Sequence, residues 1–150
     1  MTFARDLLVG FGVLLLSAHA FAQDSRDFYA EMAAEWQTKY TESPGRGEIN
    51  FHVDFTTLTA SWDIKYKDLS GPPTSIKLYG PAQPGANGAA ILSFGPKGAK
   101  SPLKGSAPLT EAQVQYLLYG WTYITITTDK FPLGEIRGQL DVKAPQKVTQ

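Results

Sequence analysis

Residues 48–67 read Glu48-Ile49-Asn50-Phe51-His52-Val53-Asp54-Phe55-Thr56-Thr57-Leu58-Thr59-Ala60-Ser61-Trp62-Asp63-Ile64-Lys65-Tyr66-Lys67. Ile49, Phe51, Val53 and Phe55 alternate with Glu48, Asn50, His52 and Asp54. Beyond Thr56-Thr57, Leu58, Ala60, Trp62, Ile64 and Tyr66 alternate with Thr59, Ser61, Asp63, Lys65 and Lys67. A period of two is that of a strand with one buried face, so the stretch predicts a hairpin turning at Thr56-Thr57. Downstream, 14 of the 38 residues from Gly71 to Pro108 are glycine or proline, which leaves room only for short strands. These are expected at Ser75–Tyr79, Ala89–Phe94 and Leu103–Ser106. Thr110 caps a short helix over Glu111–Leu118, and Gly120 stands at its C-terminal stop. Strands Trp121–Thr128 and Gly134–Val142, joined through Asp129–Leu133, complete an all-β pattern. Short strands with frequent turns predict an antiparallel β-sandwich with one short inserted helix.

Upstream of Gly47 the spacing changes. Phe28, Met32, Trp36 and Tyr40 recur every four residues, flanked by Tyr29 and Ala33, which predicts an amphipathic helix over 25–41. Asp24 or Ser25 caps its start, and Ser43-Pro44-Gly45 ends it. Residues 23–60 carry seven acids and three bases, whereas 61–107 carry two acids and six bases. The helix is therefore expected to dock on the Lys-rich middle of its own chain or of another. Surface charge contributes little to such docking, so the apolar stripe has to supply most of it.

The first 22 residues read as an export signal. Arg5 precedes the apolar run Leu7–Leu16, which is too short for the roughly 20 residues a membrane-spanning helix needs. Ala20-Phe21-Ala22 and Ala18-His19-Ala20 match the small-residue pattern before a cleavage site, and cleavage is expected after Ala22, with Ala20 the second choice. The expected organisation is a signal peptide over 1–22, a helical extension over 23–46, a β-sandwich over 47–142 and a polar tail over 143–150. No stable membrane span is expected after cleavage.

Composition narrows the function. The 150 residues carry 14 basic and 14 acidic side chains, so there is no cationic excess to neutralise a phosphate backbone and nucleic acid is not the expected partner. There is no cysteine, which excludes a disulfide framework and a Cys-based metal or redox site.

The segments Asp68-Leu69-Ser70-Gly71-Pro72, Leu78-Tyr79-Gly80-Pro81-Ala82-Gln83-Pro84-Gly85-Ala86-Asn87-Gly88, Leu109-Thr110-Glu111-Ala112-Gln113-Val114 and Phe131-Pro132-Leu133-Gly134-Glu135-Ile136-Arg137-Gly138-Gln139-Leu140 together resemble the CHRD domain family. The likeness runs from about Gly47 to Leu140. It implies an all-β sandwich, immunoglobulin- or superoxide-dismutase-like, of a kind found in exported proteins. Where the family carries a His-x-His pair and a third histidine, this chain carries Lys77, Tyr79 and Thr127. Metal binding of the kind those histidines would give is therefore not expected. The family's opening strand is read as missing, which leaves a sheet edge for the helix or a partner to cover.

Individual residues carry little chemistry. His52 is the one histidine after the signal, and a divalent ion held by imidazole needs two or three such ligands, so no metal and no cofactor are expected. His52 also lacks a Gly-x-Ser-x-Gly nucleophile, and nothing pairs Asp63, Glu135 or Asp141 for glycoside hydrolysis. Glu135 and Arg137 stand two apart on one strand face and are read as a structural ion pair that helps fix register. The expectation is thus a non-catalytic exported module, periplasmic or secreted, for protein interaction or structure. Phe28, Met32 and Trp36 would anchor a partner protein or a second copy, with Lys77, Lys97 and Lys100 at the rim. Metal handling is the alternative, with a hydrolytic enzyme behind it. Mass spectrometry of the exported protein is expected to find Gln23 as its first residue. An intact Met1 would overturn the export reading.

Overall fold

A computed structural model of the protein describes residues 24–143. The segment read as an export signal and most of the expected polar tail lie outside these residues. The chain forms β1 (Ser25–Ala33), a 3-10 turn (Ala34–Trp36), β2 (Arg46–Asp54), β3 (Thr59–Lys67), β4 (Pro73–Tyr79), β5 (Ala90–Ser93), β6 (Leu103–Pro108), α1 (Glu111–Leu118), β7 (Tyr123–Thr128), β8 (Ile136–Gln139) and β9 (Asp141–Val142). The strands make one antiparallel sheet in the order β5-β4-β7-β8-β1-β2-β3-β6, with β9 beside β1. The sheet curls on itself so that its two ends face each other. Phe94, just past edge strand β5, packs edge-on against Phe51 of β2 at 6.1 Å and Trp62 of β3 at 5.0 Å between ring centroids. One core of alternate residues fills the interior, including Ile49, Ile64, Ile76, Leu78, Ile124, Ile126 and Ile136. The all-β, sandwich-like class read from the sequence is the one observed.

The β2–β3 hairpin pairs Ile49 with Ile64 and Phe51 with Trp62, as the alternation requires. Asp54 closes its turn by accepting the backbone N–H groups of Thr56 and Thr57 at 2.8 and 2.9 Å. Those bonds, the one to Thr57 foremost, hold the Asp54 carboxyl below its ordinary pKa. Helix α1 begins with a capping box, in which Thr110 Oγ1 accepts from the Gln113 N–H and Gln113 Oε1 accepts from the Thr110 N–H.

The N-terminal segment is a strand, not a helix. Phe28, Ala30 and Met32 point into the core while Asp27, Tyr29 and Glu31 point out, a period of two. A repeat of four satisfies both periods, and the apolar Ala30 between Phe28 and Met32 is the residue that fits only the strand. Burying a side chain as large as Phe28 contributes about 2 kcal/mol, which an exposed anchoring role would forgo. Phe28 and Met32 are fully buried and so cannot be partner anchors; of the three, Trp36 alone is open to solvent, at 60% exposure. The expected missing strand is therefore present. β1 lies in the sheet interior, paired with β2 along its whole length and meeting β8 at Ala33 and Arg137. The edges of the sheet are β5 and β6, so neither is the gap that a missing first strand would leave. Gly138 of β8 has no room for a side chain, because a Cβ there would collide with the Glu31 carbonyl of β1.

Charge at two adjacent β1 positions separates strand from helix. Ala30→Asp is expected to remove more than 4 kcal/mol of stability, by burying a carboxylate without a partner. Tyr29→Asp is expected to cost about 1 kcal/mol or less. Urea denaturation of both variants checks this, and equal losses would contradict the register.

Candidate functional site

Strands β4, β7 and β8 send one set of side chains inward and a second, polar set outward. Register places Ser75 opposite Thr127, Lys77 opposite Thr125 and Tyr79 opposite Tyr123, with Thr125 in turn opposite Arg137. Every residue of β7 is buried, so its outward face is covered as well as its core face. Two irregular segments form that cover, residues 37–45 and residues 81–89. Thr41 Oγ1 donates to the Glu135 carbonyl at 2.9 Å, and the Gly88 N–H donates to the Tyr123 hydroxyl at 3.0 Å. Buried backbone and hydroxyl groups on this face thereby find partners, as they must away from water.

Glu135 is the centre of the covered face and is wholly buried. Its Oε1 accepts from Ser43 Oγ at 2.6 Å and from the Ser70 N–H at 2.7 Å. Its Oε2 accepts from Ser70 Oγ at 2.7 Å and Thr128 Oγ1 at 2.6 Å. Burial pushes the carboxyl pKa up, but the bonds from Ser43, Thr128 and Ser70 outweigh it and hold the group below its ordinary value. A carboxylate with four short donors has no acceptor capacity left for a substrate or a metal, so this glutamate is structural.

Arg137, two residues on, takes different partners. Its Nη1 donates to Asn87 Oδ1 at 3.0 Å and its Nη2 to the Ala86 carbonyl at 2.6 Å. Its guanidinium carbon sits 3.5 Å from the centroid of the Tyr123 ring, which in turn stacks on Tyr79 at 5.2 Å. The expected Glu135–Arg137 ion pair is thus not formed. Residues two apart on a strand stand about 7 Å apart, and each charge finds closer partners in a covering segment. Arg137 is 3% exposed, and its partners carry no negative charge. Burial lowers its pKa, and the Tyr123 phenol acts in the opposite direction.

Beside Arg137 lies a cavity of about 630 Å³. The covering segment 37–41, Tyr79, Asn87, Tyr123, Thr125 and the β7–β8 turn from Lys130 to Gly134 enclose it. Lys39, Lys130 and Arg137 are its charged residues, and no acid lines it. Gln37 adds a buried amide nitrogen with no acceptor. Two grooves at Trp36 differ in kind. In one, Arg46 meets Glu35 at 3.7 Å and Lys65 meets Glu48 at 3.3 Å, so opposite charges largely cancel; the other is lined by Glu31, Glu48 and Asp141 against Lys143 alone.

The residues singled out from sequence are dispersed by the fold. Lys97 reaches Asp129 at 3.9 Å, Lys100 is exposed, and neither they nor Lys77 line the grooves at Trp36. Of the three histidine replacements, Tyr79 borders the cavity, whereas Thr127 bonds Thr74 and Ser75 hydroxyls at 2.7 and 2.8 Å. His52 pairs with Asp27 at 2.7 Å on the open face of β1 and β2. Among the described residues no three His, Asp or Glu side chains are grouped to hold a metal ion. Lys39, Lys130, Asn87 and Tyr123 are not among the candidate site residues that the sequence offers. The pairing of Tyr79 with Tyr123 across β4 and β7 was the available signal.

An all-β domain with one apolar core and a polar face roofed by two loops is the class that this geometry defines. The chain belongs to the CHRD family, whose domain model matches residues 28–140. The match takes in β1 from Phe28 onward, so the family's domain includes the strand first read as a helix. The family is one of extracellular and periplasmic domains. Comparison with curated proteins and with solved structures gave no significant match. No described helix is long and apolar enough to cross a membrane.

Because folding lowers the Glu135 pKa, its contribution is complete above the unfolded-chain value of about 4.3 and is lost as pH falls through the folded-state value. Glu135→Ala is expected to cost on the order of 3 kcal/mol at pH 7, by stranding four donor groups from three residues. The stability gap between wild type and Glu135→Gln should narrow below about pH 4. Denaturant titrations from pH 7 to 3 measure it, and a constant gap would contradict the charged state assigned.

Proposed function

We propose that this protein is an exported, non-catalytic CHRD module, periplasmic or secreted, that acts by binding. The partner-facing surface is the cleft between residues 37–41 and the turn 130–134. One observation carries the reading: a buried arginine with only neutral partners borders a cavity that holds two further cations and no acid. Buried charges are ordinarily paired, so Arg137 is poised for a negative group from outside the chain. Tyr40 and Leu133, both in the lining and both exposed, offer apolar contact at the rim. Three further ionisable groups are committed within the chain. Glu135 is spent on four donors, Asp54 on its turn and His52 on Asp27, which supports a module without chemistry of its own.

Lysine acylation distinguishes this cleft from the rest of the surface. In protein recovered from its exported compartment, Lys39 and Lys130 are expected to be protected relative to purified, dialysed protein, with Lys97 and Lys100 equally reactive in both. Equal reactivity at all four lysines in both samples would overturn the reading.

A further inference from the structure

We infer that the cleft receives a small organic carboxylate, its anionic end directed to Arg137, Lys39 and Lys130 and its carbon body to Phe131, Pro132 and Leu133. This rests on the binding reading above and adds the class of ligand. Hydrogen-bond capacity is the first argument. A guanidinium offers five N–H groups, and Arg137 places two of them on Asn87 and Ala86. Tyr123 accepts the Gly88 N–H, which leaves its own hydroxyl proton to donate. Lys130 lies 5.3 Å from the Phe131 ring centroid, a contact that places none of its N–H groups on an acceptor. The lining is therefore rich in donors that lack acceptors, the complement of an oxyanion.

Charge and shape restrict the class further. Glu135, one residue before β8, gives its carboxylate to Ser43, Ser70 and Thr128 and does not line the cleft. A volume of about 630 Å³ fits a small molecule, and such sites span roughly 300–1,000 Å³. Arg137 is too enclosed for a bulky group to reach, whereas a carboxylate matches its planar fork. Inorganic phosphate would meet the cations but not use the apolar turn. Leu133 is 86% exposed beside the cavity, and a carbon body gives it a surface to cover.

Calorimetric titration of the mature chain at low salt, with benzoate, benzamide and inorganic phosphate as probes, tests the assignment. Benzoate is expected to bind saturably, and the uncharged isostere benzamide at least about tenfold more weakly. The double variant Lys39→Gln/Lys130→Gln should weaken benzoate by roughly tenfold, and Leu133→Asp by a similar factor, through repulsion at the mouth. Both alter exposed positions, so folding is retained and is checked by denaturation. Arg137→Lys should lose benzoate binding, and its folding is checked in the same way. Equal binding of benzoate and benzamide, or no effect of the lysine pair, would overturn the inference. Phosphate binding without benzoate binding overturns the carboxylate class and leaves the cleft an anion receptor. No response to any probe, with Lys39 and Lys130 still protected in exported protein, likewise overturns this ligand class alone. No response with unprotected lysines ends both readings.

Discussion

A fully buried carboxylate is tolerable only if its lone pairs are met, and Glu135 meets its own with groups from three places in the chain, two of them distant in sequence. Ser43 precedes β2, Ser70 lies between β3 and β4, and Thr128 ends β7. One charge thus fastens two loops and a strand end to the start of β8. An apolar contact at the same place would tolerate sliding by an ångström or more. Four short charge-assisted bonds do not, because each weakens steeply with misalignment. The segment carrying Ser43 also carries the roof over β7, so the position of the cleft follows from the position of this carboxylate.

Glu135, just before β8, and Arg137 within it illustrate how two neighbouring charges serve two ends. Glu135 is closed off by donors from within the chain, while Arg137 is held from one side and left electrically unmatched. Tyr123 gives the guanidinium a flat support, and a cation over a desolvated ring gains about 2 kcal/mol without any anion. Such support lets a cation remain in a nearly dry site while its charge still reaches outward. Neither groove at Trp36 concentrates positive charge: in one, Arg46 and Lys65 pair with acids within 4 Å, and the other is lined mainly by acids.

Legibility in the sequence followed the range of the interactions. The β2–β3 hairpin, the capped helix α1 and the short strands of the proline-rich middle were readable, because alternation, caps and turns act between near neighbours. The strand at 25–33 was misread because Phe28, Met32 and Trp36 repeat at four, a spacing common to a helix and a strand face. Residue Ala30 is small, so its burial adds little to an apolar pattern. Glu135 and Arg137 were recognised as a pair of interest, but their partners lie far away at 43, 70, 86 and 87. No local pattern carries that information. Lys39 and Lys130 share a cavity only because the 37–45 segment crosses over β7 and β8, a fact of topology.

The position of β1 bears on the order in which this protein is made. As a chain emerges from its N-terminus, β1 can pair at once with β2, its neighbour in sequence as well as in the sheet. Its other neighbours, β8 and β9, are the last two strands to appear. The sheet therefore stays open along one side of β1 until nearly all the described chain has been released. Long-range pairing of this kind slows closure, since the entropy of joining distant segments is lost before their contacts form.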